Sequence, residues 1–274
     1  MRRRTFLLSL ATASAAGPAV AAAAAQRGPA VDAALSYLRA RGSGDYEKAF
    51  GLLTSADQRY FGTLSNYASV FKADRFSSTD TSVLRVTPRK NATLVVVREN
   101  IRFFDHGLQR ERRGRITVPF AVVHDESGAG WRVDDTGHPY RSIVTNAGTT
   151  HERARVTARK VSFFLRRIEV TLTFENDGKE QMTFLPYGRS LLKDEAGTIF
   201  RPYVTRDWLM TDEQLFLGLR LPGSARYTGQ MNFQTTRRVD DGLHLYSLVV
   251  APVMPQGADE PVTFELPPIA VPAP

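Results

Sequence analysis

The chain has 274 residues, 42% apolar and 23% charged, which is enough for two ordinary globular domains and does not describe a disordered polypeptide. It contains no cysteine, which excludes disulfides, iron–sulfur clusters, thiolate zinc sites, a thiol nucleophile and a cysteine-linked lipid anchor. The formal charge of +8 includes Arg2, Arg3 and Arg4, and no acid lies in the first 25 residues, so the remainder carries about +5. That excess is spread over "RERRGR" (110–115), "RARVTARK" (153–160) and Arg166–Arg167 without interleaved aromatics, short of what nucleic-acid binding needs.

Residues 1–25, from "MRRRTF" to the Ala-rich run ending at Ala25, have the basic head, apolar middle and small-residue end of a signal peptide. Arg3, Arg4, Phe6 and Leu7 resemble the twin-arginine export pattern, and a middle rich in Ala, Ser and Gly suits that route. The expected location is periplasmic or secreted, with no membrane span after cleavage. An uncleaved anchor is the alternative reading, weakened by the small, weakly apolar side chains.

Residues 29–141 read as helices first and strands later. Ala33, Leu35, Leu38 and Ala40 mark one helix, Gly42 and Gly44 break it, and Tyr46, Ala49, Phe50, Leu52 and Leu53 mark a second. A third covers Leu64 to Phe71. Strands are expected over Ser82–Thr87, Ala92–Asp105, Arg112–His124 and Gly130–Asp134. Helices gathered before an antiparallel sheet indicate an α+β layer structure. Tyr37, the Gly44–Asp45–Tyr46 turn, Ala49–Phe50, "LLTSAD" and strands ending in "GWRVDD" resemble the nuclear transport factor 2-like cone of ketosteroid isomerases and polyketide cyclases.

That resemblance implies a concave pocket and makes Tyr37 an oxyanion donor. The position it assigns to the base is Phe61, and the nearest acid is Asp57. Strand parity supplies a separate candidate. Val95, Val97, Glu99, Ile101 and Phe103 share one face, and Ile116, Val118, Phe120, Val122 and His124 share another. A desolvated Glu99, or His124 at the rim, would then be the base. The alternative is an ion pair between Glu99 and Arg112, Arg113 or Arg115 of the next strand. The expected pocket lining is drawn from Tyr37, Phe50, Tyr60, Tyr67, Val97, Glu99, Phe120 and Trp131.

Residues 142–153 read as a linker, and 154–270 as short strands. Ile168, Val170, Leu172 and Phe174 alternate with Glu169, Thr171, Thr173 and Glu175 as in a half-buried strand, and "NDG" (176–178) is expected to supply positive φ for a hairpin. "VTLTFENDGKEQMTF", "LKDEAGTIF", "LPGSARYTGQMNFQ" and "LHLYSLVV" resemble the telokin-like, immunoglobulin-like domains of bacterial exported proteins. The insertion at 203–215 carries Trp208 and Met210, either a partner-binding tip or a cap on the strands.

The expected fold class is therefore an α+β cone, N-terminal helices on a curved antiparallel sheet, plus an all-β immunoglobulin-like sandwich, in two domains. The five histidines form no ligand pair, and Asp134–Asp135 with Asp125 and Glu126 reads as a solvated turn rather than a calcium site. GxSxG and phosphate-loop motifs do not occur, and neither metal nor cofactor is expected. The leading functional expectation is a non-enzymatic exported protein of the cell envelope that binds a small apolar ligand or a protein partner. The alternative is a lyase, isomerase or hydrolase on a small apolar substrate, with Glu99 or His124 as base and Tyr37 as oxyanion donor. Cone domains of the resembled family also dimerise through the open sheet face, which "RERRGR" on that face would oppose by like-charge repulsion.

Overall fold

Pro29 suits the first turn of α1 (Pro29–Ser43), where its missing N–H costs nothing, and Gly44 closes the helix at φ 82° with its N–H on the Ala40 and Arg41 carbonyls. The computed structural model describes residues 28–125, 130–135, 138–184, 190–203, 219–235, 244–255 and 262–271. They divide into two units, one running to Phe104 and resuming at Glu111–His138, the other made of Asp105–Arg110 and the residues from Pro139 onward.

In the first unit three short helices follow α1, each started by a side-chain cap. Asp45 accepts from the Lys48 N–H ahead of α2 (Tyr46–Gly51), Thr54 from Asp57 ahead of α3 (Ser55–Phe61), and Thr63 from Asn66 ahead of α4 (Leu64–Ala73). Strands β1 (Ser77–Pro88), β2 (Thr93–Asp105), β3 (Arg110–Asp125) and β4 (Gly130–Asp134) form one antiparallel sheet in chain order. Val95, Val97, Phe120, Val122 and Val133 are buried on it, as are Ala34, Tyr37, Leu38 and Arg41 of α1. The buried residues of α1 follow helical spacing, and a charge sits among them.

The second unit contains β5 (Arg141–Val144), β6 (Gly148–His151), β7 (Ala154–Phe164), β8 (Arg167–Asn176), β9 (Met182–Phe184), β10 (Leu191–Asp194), β11 (Ile199–Phe200) and β12 (Pro202–Tyr203). It continues with β13 (Leu219–Leu221), β14 (Ala225–Gln234), β15 (His244–Pro255), β16 (Val262–Glu265) and β17 (Ile269–Val271). One sheet has the order β12-β14-β8-β7-β5 with β6 also on β7; the other runs β11-β10-β15-β9-β13, with β16 and β17 also on β15. Phe163 meets Tyr246 at 5.9 Å and Phe174 meets Phe184 at 5.1 Å between ring centres, joining the sheets through an aromatic core.

The expected α+β cone followed by an immunoglobulin-like sandwich is overturned. The described residues are mostly strand in three antiparallel sheets, and the four helices include three of ten residues or fewer. The physical reason in the second unit is β15, which pairs with β9, β10, β16 and β17 along its length. Residues 142–153, read as a linker, hold β6 and most of β5, both paired to β7. The half-buried strand at 167–176 is central, and Thr171 and Thr173 are buried along with its apolar row. "NDG" supplies no positive φ. Instead the Asn176 amide organises the turn, accepting from the Gly178 N–H at 2.9 Å and donating to the carbonyls of Glu180, Leu221 and Pro222.

Among the described residues, no helix is long and apolar enough to cross a membrane. Arg3, Arg4, Phe6, Leu7, Trp208 and Met210 lie outside the described residues.

Candidate functional site

The face of α1 that carries Tyr37 places Arg41 one turn later, and β2 and the end of β4 bring Glu99 and Asp135 to it. Arg41 is 3% exposed and Glu99 is 0% exposed. One terminal nitrogen of Arg41, Nη2, donates to Glu99 Oε2 at 2.6 Å; the other, Nη1, donates to Asp135 Oδ2 at 3.3 Å. The Tyr37 hydroxyl also donates to Asp135 Oδ2, and the Tyr67 hydroxyl donates to that of Tyr37 at 3.2 Å. Asp57 accepts from the Asp135 backbone N–H and from the Thr54 hydroxyl, each at 3.0 Å. The guanidinium carbon lies 5.2 to 5.7 Å from the ring centres of Phe76, Tyr37, Phe71 and Phe120.

Electrostatics commit these groups to one another. Burial opposes the charge on Arg41, but the Tyr37 oxygen and the Asp135 and Glu99 carboxylates outweigh it and hold its pKa above the ordinary value. Burial, reinforced by Asp135 and opposed by Arg41, pushes the Tyr37 phenol well above its usual pKa. Burial also raises Asp57, against the two hydrogen bonds it accepts. Arg41 Nε and Glu99 Oε1 are buried without a hydrogen-bond partner among the described residues.

Of the expected catalytic residues, Tyr37 and Glu99 meet in one buried cluster through Asp135 and Arg41, and His124 lies apart from them. Glu99 is buried and ion-paired, with its partner Arg41 coming from α1 rather than from Arg112, Arg113 or Arg115. His124 is exposed at the far end of β3, its ring edge-on to Trp131 at 5.4 Å. The Tyr37 hydroxyl is engaged as donor to Asp135. Of the expected pocket lining, Phe50, Tyr67, Tyr37 and Phe120 follow one another in ring and hydroxyl contacts through the core. Tyr67, Val97 and Phe120 are core; Phe50 tilts over Tyr67 at 5.6 Å; Tyr60 is half-buried and donates to the His138 carbonyl; Trp131 lies beside His124.

A partly open cavity of about 160 Å³ lies beside Arg41 among the described residues. Its walls are Val70, Phe71, Phe76, Ile116 and Val118, and Arg41, Asp74 and His138 give it polar edges. Reasoning from sequence missed Arg41, Asp135 and His138. Arg41 had a signal, since it continues the Ala34–Tyr37–Leu38 spacing on the buried face of α1. Asp135 did not, because consecutive aspartates after a strand look like a solvated turn, yet Asp135 is 5% exposed. Asp125 pairs instead with Arg132 at 3.4 Å. Among the described residues, no group of three or more His, Cys, Asp and Glu side chains is placed to hold a metal ion.

His138 links cluster and cavity, with Nε2 3.6 Å from Asp135 Oδ1. Burial lowers its pKa, Arg41 adds to the effect, and Asp135, Asp74 and Glu99 oppose it; solvent reaching 37% of the side chain tempers the shift. Between the lowered value and the ordinary 6.5, the unfolded chain binds a proton that the folded chain does not. This contribution to stability is therefore whole above pH 6.5 and is lost as pH falls through the folded-state value. Urea midpoints measured across that window should fall less steeply for His138→Gln than for the unaltered chain. Parallel curves would refute the assignment.

No family model matches the chain, and no curated protein matches it. Among solved structures, it is similar to a functionally unknown protein from Listeria monocytogenes EGD-e at 7% identity and a TM-score of 0.26, over 75% of this chain and 93% of that one. It is also similar to a conserved domain protein from Bacillus anthracis at 10% identity and a TM-score of 0.29, over 73% and 75% of the two chains. Similarity at this level carries no argument about fold or function.

Proposed function

We propose that this is an exported, non-enzymatic binding protein of the cell envelope whose first unit takes a small, mostly apolar ligand in the cavity beside Arg41. The observation that carries the reading is the pairing of Glu99 with Arg41. The acid that strand parity nominated as a base is already neutralised, while an apolar-walled cavity lies next to the pair. A cavity of about 160 Å³ is the size that holds one aromatic ring. Its polar edge of Arg41, Asp74 and His138 would orient a ring bearing one polar group. The export half of the reading is supported by Arg3, Arg4, Phe6 and Leu7 ahead of an Ala-rich segment.

The test is methyl NMR on the protein with phenol, benzoate and benzylamine as probes. At least one should shift the Val70, Ile116 and Val118 methyl signals saturably, and Val118→Phe, which fills the cavity, should abolish the shift in a chain that keeps its fold. If no probe moves those signals, or Val118→Phe binds as well as the unaltered chain, the ligand reading fails.

A further inference from the structure

The arginines that look scattered along the sequence gather on one face of the first unit's sheet. On β2, Val95, Val97 and Glu99 point inward, so Arg98, Asn100 and Arg102 point outward. The register of β1 sets Arg85 opposite Val96 and Asp80 opposite Asn100. On β3, Arg115 Nε donates to Asn100 Oδ1 at 3.2 Å, which fixes Arg115 and Arg113 on the same outward face, opposite the buried Phe120 and Val122. Arg85, Arg98, Arg102, Arg113 and Arg115 are all exposed. Arg98, Arg102 and Arg113 have no carboxylate partner among the described residues. The acids on this face are Asp80, which accepts from Asn100 at 3.2 Å, Glu111, and toward β4 Asp134 and Asp125, the latter paired with Arg132.

We infer that this face docks on an anionic phospholipid surface. The array extends across three strands in two dimensions, as a plane of headgroup phosphates requires, rather than along one groove as a single polyanionic strand would. Guanidinium groups pair with phosphate oxygens through two parallel N–H donors. Leu84, the extra residue of a bulge beside Arg85, is 37% exposed and available to the headgroup boundary. The large apolar side chains exposed among the described residues include no aromatic ring, so the stacking platform of a single-stranded nucleic-acid site is lacking. Like charge on this face also opposes the homodimer through the sheet that the sequence resemblance implied. The choice of a lipid surface rests on the export reading, but the docking test does not require export, so the two can fail separately.

The test is sedimentation of the full chain with vesicles of equal parts phosphatidylcholine and phosphatidylglycerol, against vesicles of phosphatidylcholine alone. Each arginine near a charged bilayer contributes about fivefold in affinity, so Arg98→Gln, Arg102→Gln and Arg113→Gln together should weaken binding about a hundredfold. A control triple of the second unit, Arg153→Gln, Arg155→Gln and Lys179→Gln, removes the same charge from exposed positions and should stay within about twofold. Raising salt should weaken the unaltered chain and the control alike. Equal losses in both triples, no loss in the first, equal binding to neutral vesicles, or tighter binding of a short DNA duplex than of the vesicles would each overturn the proposal.

Discussion

Arg41→Met should cost about 3–5 kcal/mol of stability, because it leaves buried charge uncompensated. Arg41 donates to both Glu99 and Asp135, which are 0% and 5% exposed. Removing the guanidinium leaves two carboxylates without their cation in an aromatic surround, with the Tyr37 hydroxyl, among the described residues, as the side-chain hydrogen-bond donor left to Asp135. The alkyl stem of methionine refills much of the volume, so the loss reads the charge rather than a cavity. Urea denaturation should show the midpoint falling with an unchanged slope. A loss below about 1 kcal/mol would mean that the carboxylates are solvated or protonated, contrary to the burial described.

The second large effect belongs to the other unit. Asn176→Ala should cost about 2–6 kcal/mol, since the buried side chain makes four hydrogen bonds and each is worth about 0.5–1.5 kcal/mol net. Its amide donates at 2.7 Å to Glu180 and at 3.1 Å to Leu221 and to Pro222, tying the end of β8 to the chain beyond β13. Asn176→Asp keeps the acceptor for Gly178 but aims a carboxylate at three carbonyls, and should cost at least as much as alanine. Amide exchange should quicken around Gly178 and Ser224, whose N–H donates to the Gly178 carbonyl at 2.9 Å. Loss in the alanine variant with full stability in the aspartate variant would contradict this account.

Local chemistry was legible and non-local pairing was not. Gly44 ended α1 where the Gly-Ser-Gly break predicts, and the long runs of β2 and β3 stand close to their expected bounds. Helix α3 was missed because it has seven residues and no apolar stripe; its one signal was the Thr54–Asp57 capping pair. β5 and β6 were missed because each is only four residues long without an apolar alternation, and most of "TNAGTTHE" reads as a polar connector. The pairing of four strands with β15 was out of reach, since sheet partners far apart in the chain leave no periodic trace. At the site, Glu99 was found by parity. Its partner was sought on the adjacent strand because cross-strand charge pairs are common, whereas the actual cation comes from a helix 58 residues earlier. The arginine face was hidden in the same way, its members lying on three strands.

The central claim is that Arg41 and Glu99 form a neutralised structural pair beside the cavity rather than a site of proton transfer. A double-mutant cycle with Arg41→Met and Glu99→Gln tests it most directly. The double variant should be less damaged than the two single losses sum to, with a coupling of about 2 kcal/mol or more between the positions. Losses that add to within about 0.5 kcal/mol would show two independent groups, and Glu99 would return to consideration as a base.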